Sequence, residues 1–171
     1  MWGSFIGAIV AGLIAARGTH LPIWPLLDIA GPAILIGQAI GRLGCLSNGD
    51  AWGAPTGGGW GIVYADPNDL VPRGLLGVPT HPYPLYEILA VLVLLGVLAR
   101  LRPRLGRPGD LFIVAALGYA AIRFFLTFFR QETVVAAGLQ EAQVIAVLIV
   151  LVMGAVAVAR TRRTAVIGGV A

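Results

Sequence analysis

Residues 111–129 read LFIVAALGYAAIRFFLTFF, a run of 19 residues in which Arg123 is the only charged side chain. A helix of about 20 apolar residues is long enough to cross the hydrocarbon core of a bilayer. This run therefore predicts a membrane-spanning helix with one arginine inside it. Of the 171 residues of the chain, 58% are hydrophobic and 12% are charged, and the mean hydropathy is +0.88. That composition excludes an ordinary water-soluble domain.

Four further apolar runs indicate about five membrane-spanning helices in a single domain that covers residues 1–171. We therefore predict an all-α integral membrane protein. Within the second run, Pro25, Pro32 and Asp28 predict a broken or kinked helix. The predicted spans are 3–16, 26–42, 84–99, 111–129 and 142–159.

The segment between the second and third runs, residues 47–83, is rich in glycine and proline and contains Trp52 and Trp60. Glycine and proline favour turns, and tryptophan is enriched at the headgroup layer of membranes. We therefore predict an ordered extracytoplasmic loop that forms a cap over the helices on the outer leaflet.

The arginines predict the orientation of the chain in the membrane. All twelve basic residues are arginines, and the formal net charge is +4. Their short clusters beside apolar runs favour anionic lipid over nucleic acid as the partner. By the positive-inside rule, the face with most arginines is cytoplasmic, so the N-terminus lies outside and the C-terminus in the cytoplasm. Eight arginines share that face of five spans: Arg17, Arg100, Arg102, Arg104, Arg107, Arg160, Arg162 and Arg163.

Cysteine and histidine usage limits the chemistry of the chain. Cys45 is the single cysteine, which excludes an internal disulfide, and His20 and His81 are too far apart in sequence to suggest a zinc site. We expect neither a metal nor a cofactor. The first apolar run lacks a basic start, so we expect no cleavable signal peptide.

Three arginines lie inside the apolar runs or at their predicted outer ends: Arg42, Arg123 and Arg130. A charged side chain in a membrane is costly, and it usually faces a cavity or a partner. Arg42 and Arg123 are therefore candidates for binding an anion. Alternatively, Arg42 reaches toward lipid headgroups and Arg123 forms an ion pair with Glu87 or Asp50. Arg130 is expected at the membrane interface.

The sequence His81-Pro82-Tyr83-Pro84-Leu85-Tyr86-Glu87 joins the predicted loop to the third run. Pro84 suits the first turn of a helix, and Glu87 near that N-terminus is favoured by the helix dipole. Alone, this pattern fits a helix cap with an interfacial Tyr86. A histidine can also transfer a proton at neutral pH, and arginine suits bidentate recognition of phosphate. Together the motifs indicate phospholipid chemistry at the outer leaflet.

These motifs resemble those of the phosphatidylglycerol:prolipoprotein diacylglyceryl transferases, integral membrane enzymes of bacterial lipoprotein maturation. The family pattern G-R-x-G-N-F-x-N-x-E-x-x-G-x-x-T is similar to Gly41, Arg42, Gly44, Asn48, Asp50, Gly53 and Thr56. The family pattern H-P-S-Q-L-Y-E is similar to His81, Pro82, Leu85, Tyr86 and Glu87. The pattern Y-G-x-x-R-F-x-x-E-F-x-R is similar to Tyr119, Arg123, Phe124, Phe128 and Arg130, and Gln143 falls where the family has a glutamine.

The resemblance implies that a diacylglyceryl group passes from phosphatidylglycerol to the lipobox cysteine thiol in the signal peptide of a prolipoprotein. The reaction forms a thioether and releases glycerol 1-phosphate, and its location is the bacterial cytoplasmic (inner) membrane. Because the thiol belongs to the substrate, Cys45 is not the expected nucleophile, and we interpret it as a small packing residue.

The resemblance also assigns roles to individual residues. Arg42 and Arg123 match the family's essential arginines, and we assign them to the phosphate of phosphatidylglycerol and to the charge on the leaving group. His81 is the candidate for proton transfer at the thiol. The expected substrate-binding residues are Arg42, Asn48, Asp50, Gly53, Tyr86, Glu87 and Arg130.

Several positions differ from the family pattern. Trp2 replaces a family histidine, Cys45 an asparagine and Thr127 a glutamate, while Asp50 shortens another glutamate. The chain resembles a shortened member without the family's N-terminal spans. Two alternatives to the transferase follow: a catalytically silent relative that binds phospholipid or signal peptide, and a subunit whose partner chain supplies the missing helices.

Overall fold

The structure is a computed structural model that describes residues 22–130, 134–136 and 138–168, together with 10–12, 14 and 16–18. Within this part of the chain, four helices are long and apolar enough to cross a membrane. The prediction of an all-α membrane protein is thereby confirmed. The helices are α1 (Ile23–Asn48), α2 (Tyr83–Leu101), α3 (Asp110–Leu126) and α4 (Glu141–Gly168).

The helices overlap the last four predicted runs and extend beyond most of their ends, because each apolar run recruits flanking residues to reach a spanning length. A short 3-10 turn, Thr127–Phe129, continues α3. A small hairpin of β1 (Val134–Ala136) and β2 (Leu139–Gln140) precedes α4. The predicted span 3–16 lies mostly outside the described residues, and its described residues 10–12, 14 and 16 are helical.

The break predicted in the second run does not occur, since α1 continues through Pro32 without interruption. Packing supports the turn that contains the proline. Gly31 is buried, and a Cβ atom at this position would lie 3.4 Å from the Phe112 ring and 3.5 Å from the Ala115 Cβ atom of α3. Close contact with a neighbouring helix therefore compensates for the backbone hydrogen bond that Pro32 removes.

Asp28, the charged residue inside α1, caps the start of α3. Its Oδ2 atom accepts a hydrogen bond from the Gly109 amide at 2.6 Å, and its Oδ1 atom accepts one from the Phe112 amide at 2.9 Å. The first amides of a helix have no partner within the helix. The carboxylate satisfies two such amides, which explains its place in an apolar segment.

An apolar core joins α1, α2 and α3, and α4 packs against α3. At Gly118 of α3 a Cβ atom would lie only 2.5 Å from Leu94 Cδ1 of α2, so the glycine permits this close approach. Large apolar side chains such as Ile29, Val93 and Leu151 are exposed on the outer faces, as expected for helices in lipid. The core residues are Leu35, Val91, Leu94, Leu98, Leu111 and Ala115.

Residues 49–82 connect α1 to α2 and are held by backbone hydrogen bonds between distant positions. The fully buried Thr80 exchanges amide and carbonyl bonds of 2.9 Å with Ile62, and its Oγ1 donates to the Ile62 carbonyl at 3.1 Å. Gly61, with φ of 124°, lets the chain pass the Thr80 carbonyl at a distance that a Cβ atom would block. The connection is therefore an ordered structure over one end of the bundle.

The opposite end of the bundle has its own polar contacts. The guanidinium carbon of Arg160, in α4, lies 4.0 Å from the centroid of the Trp24 ring at the start of α1. Arg160 also donates to the Pro108 carbonyl, just before α3. These contacts place the C-terminal part of α4 beside the start of α1 and of α3, as in an antiparallel bundle.

We expect Asp28→Ala to lower the free energy of unfolding by about 1–2 kcal/mol, because two amides at the start of α3 lose their acceptor. Thermal unfolding of the purified chain in detergent measures the change. Asp110→Ala is the matched control. The Asp110 carboxylate lies in the first turn of α3, the turn that Asp28 caps, but its contact within the described residues is a longer ion pair of 3.7 Å with Arg160. Equal losses for the two variants would contradict the capping role.

Candidate functional site

Glu87 is fully buried and lies at the centre of the polar contacts between α1, α2 and α3. Its Oε2 atom is 2.8 Å from Arg42 Nε and 3.3 Å from Arg123 Nη1. Its Oε1 atom accepts hydrogen bonds from the Tyr119 hydroxyl at 2.8 Å and from Gln38 Nε2 at 3.2 Å. Each carboxylate oxygen therefore contacts two donors. We call these five residues the Glu87 cluster.

The charged residues of the cluster differ in their distance from the helix ends. Glu87 lies four residues after the start of α2, whereas Arg42 and Arg123 lie in the last two turns of α1 and the last turn of α3. A helix carries partial positive charge at its N-terminus and partial negative charge at its C-terminus. Of these three, Arg123 is the one in a terminal turn, whereas Arg42 and Glu87 lie beyond the terminal turns of α1 and α2 and depend on their ion pair with each other.

Tyr83, the first residue of α2, connects the arginines and is fully buried. Its hydroxyl oxygen accepts a hydrogen bond from Arg123 Nη1 at 2.5 Å. The guanidinium carbons of Arg42 and Arg130 lie 5.9 Å and 5.3 Å from the centroid of its ring. One aromatic side chain therefore contacts three cations, two of them through its ring.

The Glu87 cluster carries an excess of positive charge, because Arg42 and Arg123 share one carboxylate. The side chain of Arg42 is 13% exposed and that of Arg123 is 20% exposed. Beyond their bonds to Glu87 and Tyr83 and a 3.6 Å contact from Arg42 Nη1 to Cys45 Sγ, their guanidinium groups have no hydrogen-bond partner within the described residues. Such a site can bind an anion that accepts several hydrogen bonds, as phosphate does.

His81 lies next to this cluster, at the junction of the connecting segment with α2, among aromatic rings. Its Nδ1 atom is 3.3 Å from the Tyr86 hydroxyl. The ring stands edge-on to Trp60 and Phe129, with centroid distances of 5.0 Å and 5.5 Å. A Cβ atom at Gly53 would lie within 2.6 Å of His81 atoms, so the glycine lets the connecting segment pack against the histidine.

Two other predicted binding residues lie at the end of α1. Asn48 is exposed, and its carbonyl accepts a hydrogen bond from the Leu70 amide at 3.0 Å. Asp50 is half-buried, and its Oδ1 atom has no hydrogen-bond partner among the described residues. Nearby, burial together with the carboxylates of Asp69 and Asp50 raises the pKa of Tyr64, so its buried hydroxyl stays neutral. In the described part of the chain, no hydrogen bond or ion pair joins Asn48, Asp50 or Tyr64 to the Glu87 cluster.

The partners of Arg42 and Arg123 in the structure agree with the predictions in part. The alternative in which Arg123 pairs with Glu87 is the one observed, whereas Arg42, expected in one alternative to reach toward headgroups, also pairs with Glu87. The sequence does not predict the contact of Gln38 with Glu87 or that of Tyr83 with Arg123. No sequence signal identifies them, because each acts on a residue of another helix.

Thr127 and Gln143 are buried but lie outside the Glu87 cluster. The Thr127 hydroxyl donates to the backbone carbonyl of Arg123 at 2.5 Å, and among the described residues it accepts no hydrogen bond from the guanidinium group. Gln143 Oε1 accepts a hydrogen bond from the Gln140 amide at 3.1 Å, which ties the hairpin to the start of α4. Trp2 lies outside the described residues.

Comparisons with known proteins agree on one family. The family model described as prolipoprotein diacylglyceryl transferase matches residues 1–159. The chain is similar to phosphatidylglycerol–prolipoprotein diacylglyceryl transferases from two strains of Dehalococcoides mccartyi, at 37% identity over 150 residues and 36% over 164 residues. A relative from Thermosynechococcus vestitus is 35% identical over 155 residues.

These alignments cover 88%, 95% and 89% of this chain but only 56%, 62% and 57% of the three relatives. The chain therefore spans little more than half the length of the curated relatives that it matches. The comparisons do not support the alternative in which a partner chain supplies further helices.

We expect Glu87→Gln to destabilise the protein by about 3 kcal/mol, because two buried guanidinium groups lose their counter-charge. Glu141→Gln makes the same chemical change at an exposed position at the start of α4 and should have little effect. Detergent-solubilised variants are compared by thermal unfolding followed by circular dichroism. Similar stabilities for both variants would contradict the central place of Glu87.

Proposed function

Because the chain belongs to the prolipoprotein diacylglyceryl transferase family, we propose that it transfers a diacylglyceryl group from phosphatidylglycerol to a prolipoprotein. The acceptor is the lipobox cysteine thiol in the signal peptide, and the products are a thioether and glycerol 1-phosphate. The observation that carries this proposal is the excess positive charge of Arg42 and Arg123 around the buried Glu87.

The phosphodiester of phosphatidylglycerol has one negative charge, which matches the one uncompensated positive charge of the Glu87 cluster. The guanidinium N–H groups of Arg42 and Arg123 that have no partner among the described residues are donors for its two free oxygens. The exposed apolar side chains of α1 and α2 near this end, such as Ile36, Ile40 and Leu89, provide surface for the acyl chains. Headgroup and chains thus have separate complementary regions.

The proposed step displaces a phosphate ester at carbon. The substrate's thiolate sulfur forms a bond to the glyceryl carbon that carries the phosphate. The bond between this carbon and oxygen breaks, and its electron pair leaves with glycerol 1-phosphate. The leaving phosphate gains a second negative charge, so Arg42 and Arg123 stabilise the transition state more than the bound substrate.

The thiol must lose its proton before or during attack, and His81 is the proposed acceptor. Its ring lies at the edge of the site, where Tyr86 is within hydrogen-bond distance of Nδ1. Asn48, Asp50 and Arg130 remain proposed binding residues for the headgroup or the signal peptide. Gly53 contributes indirectly, because its missing side chain lets the first part of the connecting segment pack directly against His81.

We propose the bacterial cytoplasmic membrane as the location, with the N-terminus outside and the C-terminus in the cytoplasm. The Glu87 cluster would then face the outer leaflet. Arg100 lies in the last turn of α2, and Arg102 and Arg104 follow that helix, away from the connecting segment, which suits the cytoplasmic face. A prolipoprotein that has been translocated would present its lipobox cysteine on the outer side.

A second candidate is a relative that binds phosphatidylglycerol or a signal peptide without turnover. Cys45 and Thr127 favour it, because neither supplies the polar group found in the family pattern. Lipid binding without release of glycerol 1-phosphate would identify this alternative.

We expect Arg42→Ala and Arg123→Ala each to reduce transfer by about 100-fold or more, since each removes stabilisation of the leaving phosphate. The assay is mass spectrometry of a lipobox peptide incubated with the purified chain and phosphatidylglycerol, with release of glycerol 1-phosphate measured in parallel. Arg102→Ala, an exposed arginine at the other end of the bundle, is the control. Full activity of either site variant would refute the assigned roles.

His81→Ala should lower the maximal transfer rate by about 100-fold or more while leaving the affinity for phosphatidylglycerol unchanged, as expected for the loss of a general base. Transfer is followed with the same peptide assay, and lipid affinity is measured separately by native mass spectrometry. A variant with unchanged rate, or with lipid affinity reduced in parallel with rate, would argue against proton transfer by His81.

A further inference from the structure

We infer that Tyr83 is a positioning residue that orients Arg123 toward the phosphate. The inference rests on the proposed function, since it specifies how one of the two phosphate-binding arginines is held. Tyr83 is fully buried, so it acts through Arg123 rather than by touching the substrate. The Tyr83 hydroxyl and the Arg123 guanidinium group come from different helices, 40 positions apart in sequence.

The carboxylate of Glu87 alone holds Arg123 weakly. Its Oε1 atom is occupied by Tyr119 and Gln38, and its Oε2 atom lies closer to Arg42, at 2.8 Å, than to Arg123, at 3.3 Å. Glu87 accepts a hydrogen bond from Arg123 through Nη1 alone, and one bond at 3.3 Å leaves the guanidinium plane free to turn about it. Arg123 therefore needs another acceptor if its guanidinium plane is to have one fixed orientation.

The helix that carries Arg123 does not provide that acceptor. Residues four positions away on a helix are neighbours, which makes Tyr119 and Thr127 the local candidates. Tyr119 donates its hydroxyl to Glu87, and Thr127 donates its hydroxyl to the Arg123 backbone carbonyl. The second acceptor for the guanidinium group is instead the Tyr83 hydroxyl, at 2.5 Å from Nη1.

The arrangement leaves the other side of the guanidinium group available. Nη1 is directed into the protein, toward Tyr83 and Glu87, whereas Nε and Nη2 make no hydrogen bond within the described residues. The Tyr83 ring is also near the guanidinium groups of Arg42 and Arg130, at 5.9 Å and 5.3 Å from its centroid, which restricts the ring's own movement. An arginine held on one edge presents its remaining donors in a fixed plane.

The test uses Tyr83→Phe, which removes the hydroxyl and keeps the ring. The matched control is Tyr64→Phe, because Tyr64 is 6% exposed and its buried hydroxyl has no partner among the described residues. Phosphatidylglycerol binding to the full chain is titrated by native mass spectrometry, with phosphatidylcholine as the reference lipid. We expect Tyr83→Phe to weaken binding about tenfold, the effect of one hydrogen bond to a charged group. Tyr64→Phe should bind like the wild type.

The same change is then made in an Arg123→Gln background, where Arg42 remains to bind phosphate. If Tyr83 acts through Arg123, Tyr83→Phe has no further effect there. Equal weakening in both backgrounds would indicate a general structural role and overturn the inference. The inference would also be overturned if Tyr83→Phe alone bound phosphatidylglycerol as tightly as a wild type that prefers this lipid. A wild-type chain that does not prefer phosphatidylglycerol would overturn the proposed function, and this inference with it.

Discussion

The sharing of one buried carboxylate, that of Glu87, allows two arginines to lie within an apolar helix bundle. A charge that is removed from water must be paired, and pairing is stable only when the remaining donors and acceptors are also satisfied. Glu87 of α2 meets this demand with two donors from α1 and two from α3, so the cluster fixes how the three helices meet at one end. Since two cations share one anion, the pairing also leaves a positive charge. The interaction that holds this end of the bundle together is thus the one that makes it able to bind an anion.

The two ends of the bundle use polar groups differently. At the end remote from the connecting segment, Asp28 bonds to two amides of α3, and Arg160 packs on Trp24 and bonds to a backbone carbonyl. These contacts satisfy their groups and leave no comparable unpaired cluster in the described residues. At the other end, the cluster keeps unpaired guanidinium donors and lies under an ordered connecting segment that carries His81. Among the described residues, two arginines share a single buried carboxylate at that end, below the segment that carries His81.

Departures from the family pattern have a local structural explanation. Thr127 turns its hydroxyl to its own helix backbone, so α3 supplies no counter-group to Arg123, and the buried Tyr83 of α2 contacts that arginine instead. Cys45 makes only a long contact with Arg42, consistent with a small packing residue. In this chain Arg123 is therefore paired with two residues of α2, Tyr83 and Glu87. This pairing depends on the exact approach of α2 to α3, which Gly118 permits.

The sequence by itself determined the membrane class and the long helices, because apolar runs of spanning length have no stable alternative in lipid. It also singled out Arg42, Arg123 and Glu87, since isolated charges in such runs require partners. It did not reveal that Pro32 leaves α1 unbroken or that Tyr83 holds Arg123. Sequence periodicity reports neighbours within one helix, about four residues away, whereas the contacts of the cluster join positions 32 to 49 apart. Only the packing of the helices decides which side chains meet, because their rotation and separation set which donor reaches the single carboxylate.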